Sequence, residues 1–120
     1  MNAKELIERY KAGERDFSGV DLSGVDFDKL NPSLDNIISL SGANFSNTNL
    51  SNADLQDAEF DNANFTNADL RDADLKRAHL DNPNFTNADL RNADLKRAYL
   101  DNAIFCNTIM PDGSIRNDNC

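Results

Sequence analysis

Residues 61–80 read DNANFTNADLRDADLKRAHL, and residues 81–100 read DNPNFTNADLRNADLKRAYL. The two stretches differ only at Ala63/Pro83, Asp72/Asn92 and His79/Tyr99. A period of five runs inside them and beyond, with a large apolar residue at every fifth position from Leu40 to Ile115. A small residue usually stands two places earlier, as Ala43 does before Phe45 and Ala68 before Leu70. The remaining positions are almost all polar. A period of five fits neither an α-helix, at about 3.6, nor a strand, at about 2. It is accounted for if each pentad is one short side of a coil that then turns a corner. The large and small residues point inward. The polar positions form the outer face and the corners, where Asn, Asp and Ser suit turns.

The twenty-residue period makes four sides per coil. Reading every twentieth residue gives stacked columns: Phe45, Phe65, Phe85 and Phe105; Leu50, Leu70, Leu90 and Met110; Leu55, Leu75, Leu95 and Ile115; Leu40, Phe60, Leu80 and Leu100. Asn47, Asn67, Asn87 and Asn107 make an outer column able to hydrogen-bond as a ladder. The expected fold is an all-β solenoid, a quadrilateral parallel β-helix of about five coils spaced by about 4.8 Å. Each coil buries its apolar residues only by stacking on its neighbours.

Composition agrees. The 120 residues suit one domain. Leu, Ile, Val and Phe total only 28, while Asn and Asp reach 18 and 17. Those two are poor helix and strand formers, which argues against an ordinary three-dimensional core. The net charge of −9 argues against direct nucleic-acid binding, since phosphates want a basic partner. It permits imitation of a nucleic acid instead. No apolar run approaches the length of a membrane span. The opening Met1-Asn2-Ala3-Lys4-Glu5 lacks the basic and apolar regions of a signal peptide, so a cytoplasmic protein is expected.

The pentads Ala68-Asp69-Leu70, Ala73-Asp74-Leu75, Ala88-Asp89-Leu90 and Ala93-Asp94-Leu95 resemble those of the pentapeptide-repeat family. The resemblance covers residues 43–110 almost without a break and implies a right-handed quadrilateral β-helix. The opening ELIERYKAGERDFSGVDLSGVDF and the close CNTIMPDGSI are similar to cyanobacterial members and their plastid relatives.

The single domain 1–120 divides into a helical cap at 1–14, a β-helix over 15–110 with an irregular stretch at 28–39, and a tail at 111–120. Leu6, Ile7 and Tyr10 form one helical stripe, and Gly13 is a stop. The helix is expected to cover the first coil, because an exposed edge recruits other chains. Phe17, Leu22 and Phe27 carry the pentad, but Leu40 lies thirteen positions after Phe27, not a multiple of five, so the phase breaks between them. Asn31-Pro32 marks a turn there, and a binding loop is one reading of that stretch. Ile104 and Ile109 occupy outward slots and need cover, from the tail or from a second subunit. The cysteines leave two readings open. A reducing cytoplasm favours free Cys106 and Cys120. The resemblance implies a Cys106–Cys120 bridge, since related members with a similar CN..MPDG close use such a staple.

No catalytic constellation, metal set or cofactor site is expected. His79, the only histidine, stacks between Glu59 and Tyr99 on an outer wall. Asp61, Asp81 and Asp101 form a straight column that cannot surround an ion. The informative surface is a corner region where Arg71 and Arg91 stack, beside Lys76, Lys96 and Arg116, and beside Arg77 and Arg97. It is either a solvated mixed-charge wall or a docking surface for a protein. Like charges at this spacing repel by roughly 1 kcal/mol in water, and Asp74 and Asp94 offset part of that. The expected function is a non-enzymatic protein-interaction scaffold, monomeric or a weak homodimer, with no membrane or cofactor role. The alternative implied by the resemblance is a DNA mimic that binds DNA gyrase or topoisomerase IV.

Overall fold

In a computed structural model, residues 1–27 and 38–120 are described. The chain winds into four walls, and each wall is held to the next coil by parallel bridges twenty residues apart, such as Asn44 to Asn64 to Asn84 to Ile104. Three backbone hydrogen bonds secure each repeat. Phe65 N donates to Asn84 O at 2.8 Å, Asn67 N to Thr86 O at 2.9 Å, and Asn64 N to Ala43 O at 3.0 Å. The large and small residues fill the interior: Phe45, Phe65, Phe85, Leu70, Leu75, Leu90, Ala68, Ala73 and Ala88 are all 2% exposed or less. Leu50 and Leu55 are equally buried, whereas Leu95 is only partly so.

The corners explain the Asn and Asp excess. Most apolar centres accept a hydrogen bond from the N–H three residues on, as Phe65 O does from Ala68 N at 3.0 Å; Leu80 does not, because Pro83 has no N–H to give. The residue two places after the centre has positive φ, as type II turns require. Gly19, Gly24 and Gly42 fill that slot first, and then Asn47, Asn52, Asp57, Asn62 and their successors, all near φ 60. Glycine, asparagine and aspartate tolerate this region best. One place before the centre, a second Asn or Asp closes the turn with its side chain. Asn64 Oδ1 accepts from Thr66 N at 3.0 Å, and Asp69 Oδ1 from Arg71 N at 3.1 Å. The expected Asn47–Asn107 ladder does not form among the described residues. These asparagines serve through their backbone conformation instead.

The phase break turns out to be an insertion at one corner. Asp16, Asp21 and Asp26 bridge to Asn44, Asn49 and Asp54, an offset of 28 where later coils use 20. Phe17 therefore stacks on Phe45 at 5.7 Å and extends the phenylalanine column to five rings, spaced 5.4–5.8 Å down to Phe105. Of the stretch 28–39, positions 28–37 and the binding loop placed on them lie outside the described residues. Helix α1 spans Ala3–Lys11. Asn2 Oδ1 caps it by accepting from Glu5 N at 2.9 Å. Leu6 is fully buried, and Tyr10 Oη donates to Ser41 O at 2.6 Å.

The tail departs from the extrapolated register. Strand β1 (Thr108–Ile109) pairs antiparallel with β2 (Ile115–Arg116), so the chain reverses after Met110. Met110 N donates to Ser114 O at 2.7 Å, and Gly113 carries the positive φ. Ile115 thus lies opposite Ile109 and not above Leu95, and Arg116 lies opposite Thr108, out of the Lys76–Lys96 column. Arg116 covers the Phe105 ring at 4.1 Å. Cys120 lies beside Cys106, at a Cα separation of 5.2 Å, and not above Leu100; the two are disulfide-bonded. The tail pairs with Ile109, while Ile104 stays 38% exposed.

The corner geometry has a direct test at an exposed site. Asn67→Ala should lower stability by about 1 kcal/mol, the cost of holding an ordinary residue at positive φ. Asn67→Gly should lower it by less. Urea unfolding of both variants checks this, and equal losses would show that the turn conformation is not the cause.

Candidate interaction surface

The residues singled out as a basic corner lie together on the second and third walls, the walls centred on Leu70/Leu90 and on Leu75/Leu95. Most of them are already partnered. Arg71 donates to Asp69 through Nε at 2.9 Å and Nη2 at 2.7 Å. Arg91 Nε donates to Asp89 at 3.0 Å. Lys76 Nζ lies between Asp74 at 3.3 Å and Asp94 at 3.7 Å. Arg77 reaches one coil back to Asp57 at 2.8 Å. Lys96 donates to Asp94 Oδ1 only through its backbone N, at 3.0 Å, and neither the Lys96 nor the Arg97 side chain has a hydrogen bond or ion pair among the described residues. The surface is therefore a ribbon of alternating charge in which Arg71, Lys76, Arg77 and Arg91 are compensated, and not a basic patch.

The pairing explains the electrostatics. The hydrogen bonds from Arg71 and Arg91 hold the Asp69 and Asp89 carboxyls below the usual carboxylate range and push both guanidinium groups up. The backbone N–H of Lys96 lowers Asp94 first, ahead of the Lys76 and Lys96 charges. These side chains stay solvated, so each pair contributes only a fraction of a kcal/mol. Sequence reasoning placed the cations but missed the dual role of the aspartates, which close the turn and pair the arginine with one carboxylate. The spacing Asp-x-Arg at 69–71 and 89–91 was the available signal.

Elsewhere the outer columns match their expected neighbours. His79 bridges Glu59 and Tyr99 and stacks on the Tyr99 ring at 4.8 Å. Asp61 Oδ1 accepts from Asp81 N at 3.0 Å, and Asp81 Oδ1 has no partner among the described residues. No group of three or more His, Cys, Asp or Glu there is arranged to hold a metal ion. No helix among them is long and apolar enough to cross a membrane.

With this geometry in view, comparison with known proteins is specific. A family described as "Pentapeptide repeats (8 copies)" matches residues 38–77 and 73–110. No curated protein sequence matches the chain. Among solved structures, HetL from the cyanobacterium Nostoc sp. strain PCC 7120 is 34% identical over 84% of this chain, with a TM-score of 0.75. That match covers 43% of HetL, so the chain spans less than half the length of this relative. The pentapeptide repeat protein alr5209 from Nostoc is 29% identical over 86% of this chain and 74% of its own, with a TM-score of 0.43. A pentapeptide repeat protein from the Arabidopsis thaliana thylakoid lumen is 26% identical over 90% and 74%, with a TM-score of 0.47.

Two measurements check the local chemistry. Reducing the Cys106–Cys120 bridge should lower stability by about 3 kcal/mol in the chain-entropy model for a loop of this length. Thiol alkylation followed by mass spectrometry should find no free thiol before reduction and two after it. Asp89→Asn keeps the turn acceptor and removes the charge. Because the Asp89 carboxyl titrates low in the fold, its contribution is present above about pH 4, the ordinary aspartate value, and is lost as pH falls through the lowered one. The wild type should therefore be slightly more stable than the variant at pH 7, and the difference should shrink as pH falls below about 4, by denaturant unfolding at each pH.

Proposed function

The chain belongs to the pentapeptide repeat family, whose fold is a right-handed quadrilateral β-helix, and from that premise we propose a non-enzymatic scaffold that binds a protein partner along its second and third walls. The observation that carries this reading is the ribbon of alternating Asp, Arg and Lys repeated at coil spacing. Such a surface offers little to a polyanion, because Arg71, Lys76, Arg77 and Arg91 are already paired with aspartates. It suits a protein whose own charges alternate at a similar pitch, since complementary patterns fix register and partner choice. The pattern sits on walls hydrogen-bonded coil to coil, so it is presented at low entropic cost.

In this reading the β-helix has about four and a half coils, from the Phe17 side to Met110, and α1 acts as the cap of the first. HetL is described as involved in heterocyst differentiation regulation. A regulatory role exerted by binding is the corresponding proposal here. The cytoplasm remains the proposed location on composition. The disulfide pulls against it, since a reducing compartment keeps such thiols free.

The DNA-mimic reading is second and rests on the net charge of −9. The compensated arginines interrupt the negative surface, and the longest dimension is only 37 Å. A direct experiment separates the two. The full chain and a folded Lys76→Glu/Arg91→Glu variant are used as baits in a cyanobacterial lysate. A protein retained by the wild type and lost by the variant supports the wall. Identical retention by both overturns it. Inhibition of gyrase supercoiling or topoisomerase IV decatenation by micromolar wild type would favour mimicry instead.

A further inference from the structure

Helix α1 and the tail are held to the coils by different means. The helix is held by burial: Ala3 and Leu6 belong to the core, at 6% and 0% exposure. The tail adds no side chain to the core. Residues 112–120 are all exposed, Ile115 at 62%. Polar contacts bring the tail to the first and second walls. Phe105 N donates to Asn119 Oδ1 at 3.0 Å, and Asn119 N returns a bond to Phe105 O at 3.0 Å. Asn107 N donates to Asn117 Oδ1 at 2.8 Å, and Met110 N to Ser114 O at 2.7 Å. The Arg116 guanidinium lies over the Phe105 ring. Water replaces exposed hydrogen bonds at little net cost, so a segment held by them alone opens readily. The strong fastening here is covalent, the Cys106–Cys120 bridge.

We propose that this bridge is a redox latch: a dithiol of the C-x-x-C type opens it, and the tail is then released from the coils while the solenoid stays folded. Access permits the exchange. Cys120 is exposed and Cys106 half-buried, and exposed disulfides are the labile ones. A thiolate of the dithiol attacks Cys120 Sγ. The bond between the two sulfurs breaks, and Cys106 leaves as a thiolate that takes up a proton. The second thiol of the reductant then attacks the mixed disulfide and frees Cys120 in the same way. Two electrons and two protons pass to the bridge, and the reductant ends as its own disulfide.

The coil that carries Cys106 does not depend on the tail. Phe85 N donates to Ile104 O at 2.9 Å, Asn87 N to Cys106 O at 2.8 Å, and Leu90 N to Ile109 O at 2.7 Å. Phe105 stacks on Phe85 at 5.8 Å. Cys106 therefore stays on its coil, and Cys120 is the half that moves. Release uncovers the Phe105 ring, only 5% exposed under the tail, and leaves Phe105 N and Asn107 N without their acceptors. The two states thus differ in local surface and not in fold. The latch is closed in an oxidising compartment and open in a reducing one. It rests on the bridge and the tail, independently of any role for the charged wall.

Backbone amide exchange of the full chain, with and without a dithiol, is the test, and thiol alkylation counts the open bridges in the same samples. In the reduced chain, the amides of Phe105, Asn107 and Asn119 should exchange at least about tenfold faster than in the oxidised one. Those of Phe85, Asn87 and Leu90 should keep their protection, and reoxidation should restore the first three. A Cys106→Ser/Cys120→Ser variant should show the released pattern with or without dithiol. Unchanged exchange at Phe105, Asn107 and Asn119 after reduction would overturn the proposal, since the tail would then need no bridge. Loss of protection at Phe85 and Leu90 would overturn it too, by making the bridge a support of the whole fold. So would a bridge that stays closed in the folded chain under millimolar dithiol.

Discussion

One backbone constraint governs this molecule: every fifth residue must sit at positive φ. Thirteen residues other than glycine do so, from Asn47 to Asn107, together with Gly19, Gly24 and Gly42 in the same slot of the earliest pentads. Each such residue turns the chain through one corner, and four corners return it above its starting point. Only then do the parallel bridges at an offset of twenty become possible. The apolar core is a consequence of the corner, since the interior is too narrow for anything but one large and one small side chain per wall. Asn and Asp dominate the composition because the corner asks for them twice, once for the αL backbone and once for the side-chain acceptor.

The repeat was legible because each pentad solves the same local problem with the same residues. The columns of Phe, Leu and Ala follow from periodicity alone. The insertion before Leu40 was visible only as a break in phase, and its consequence, Phe17 on Phe45, needed the offset of 28 that the bridges reveal. The tail misled for a physical reason. Met110, Gly113 and Ile115 imitate the centre, small and centre slots of two further pentads. The positive φ, however, falls on Gly113, one residue later than the corner slot at Asp112. That shift of one place converts a corner into a reversal. Tracking the corner residue, and not the apolar one, is the reading that detects it.

The charged wall shows why a column of like residues is weak grounds for a patch. Arg71 and Arg91 stack, but each shares a turn with an aspartate two residues earlier that is already fixed by the backbone. The carboxylate is positioned before any arginine arrives. An arginine after the centre therefore finds a partner at almost no ordering cost, and charge compensation is built into the repeat. Arg97 escapes it because Arg77, and not an aspartate, stands one coil below.

The same logic indicates where a pentapeptide coil has chemical freedom. The inward slots are committed to packing and the corner slot to positive φ. On the first three walls, the slot before the centre is mostly committed to closing the turn. The fourth wall is different. Ser39, Glu59, His79 and Tyr99 fill that slot in turn, and the Asp81 corner N–H is served instead by Asp61 from the preceding coil. Relieved of the turn, this column can vary, and it holds the only histidine and an exposed tyrosine stacked on it. Side chains unconstrained by the turn therefore collect in this one column, so recognition by this molecule has more to draw on along the fourth wall than along the other three.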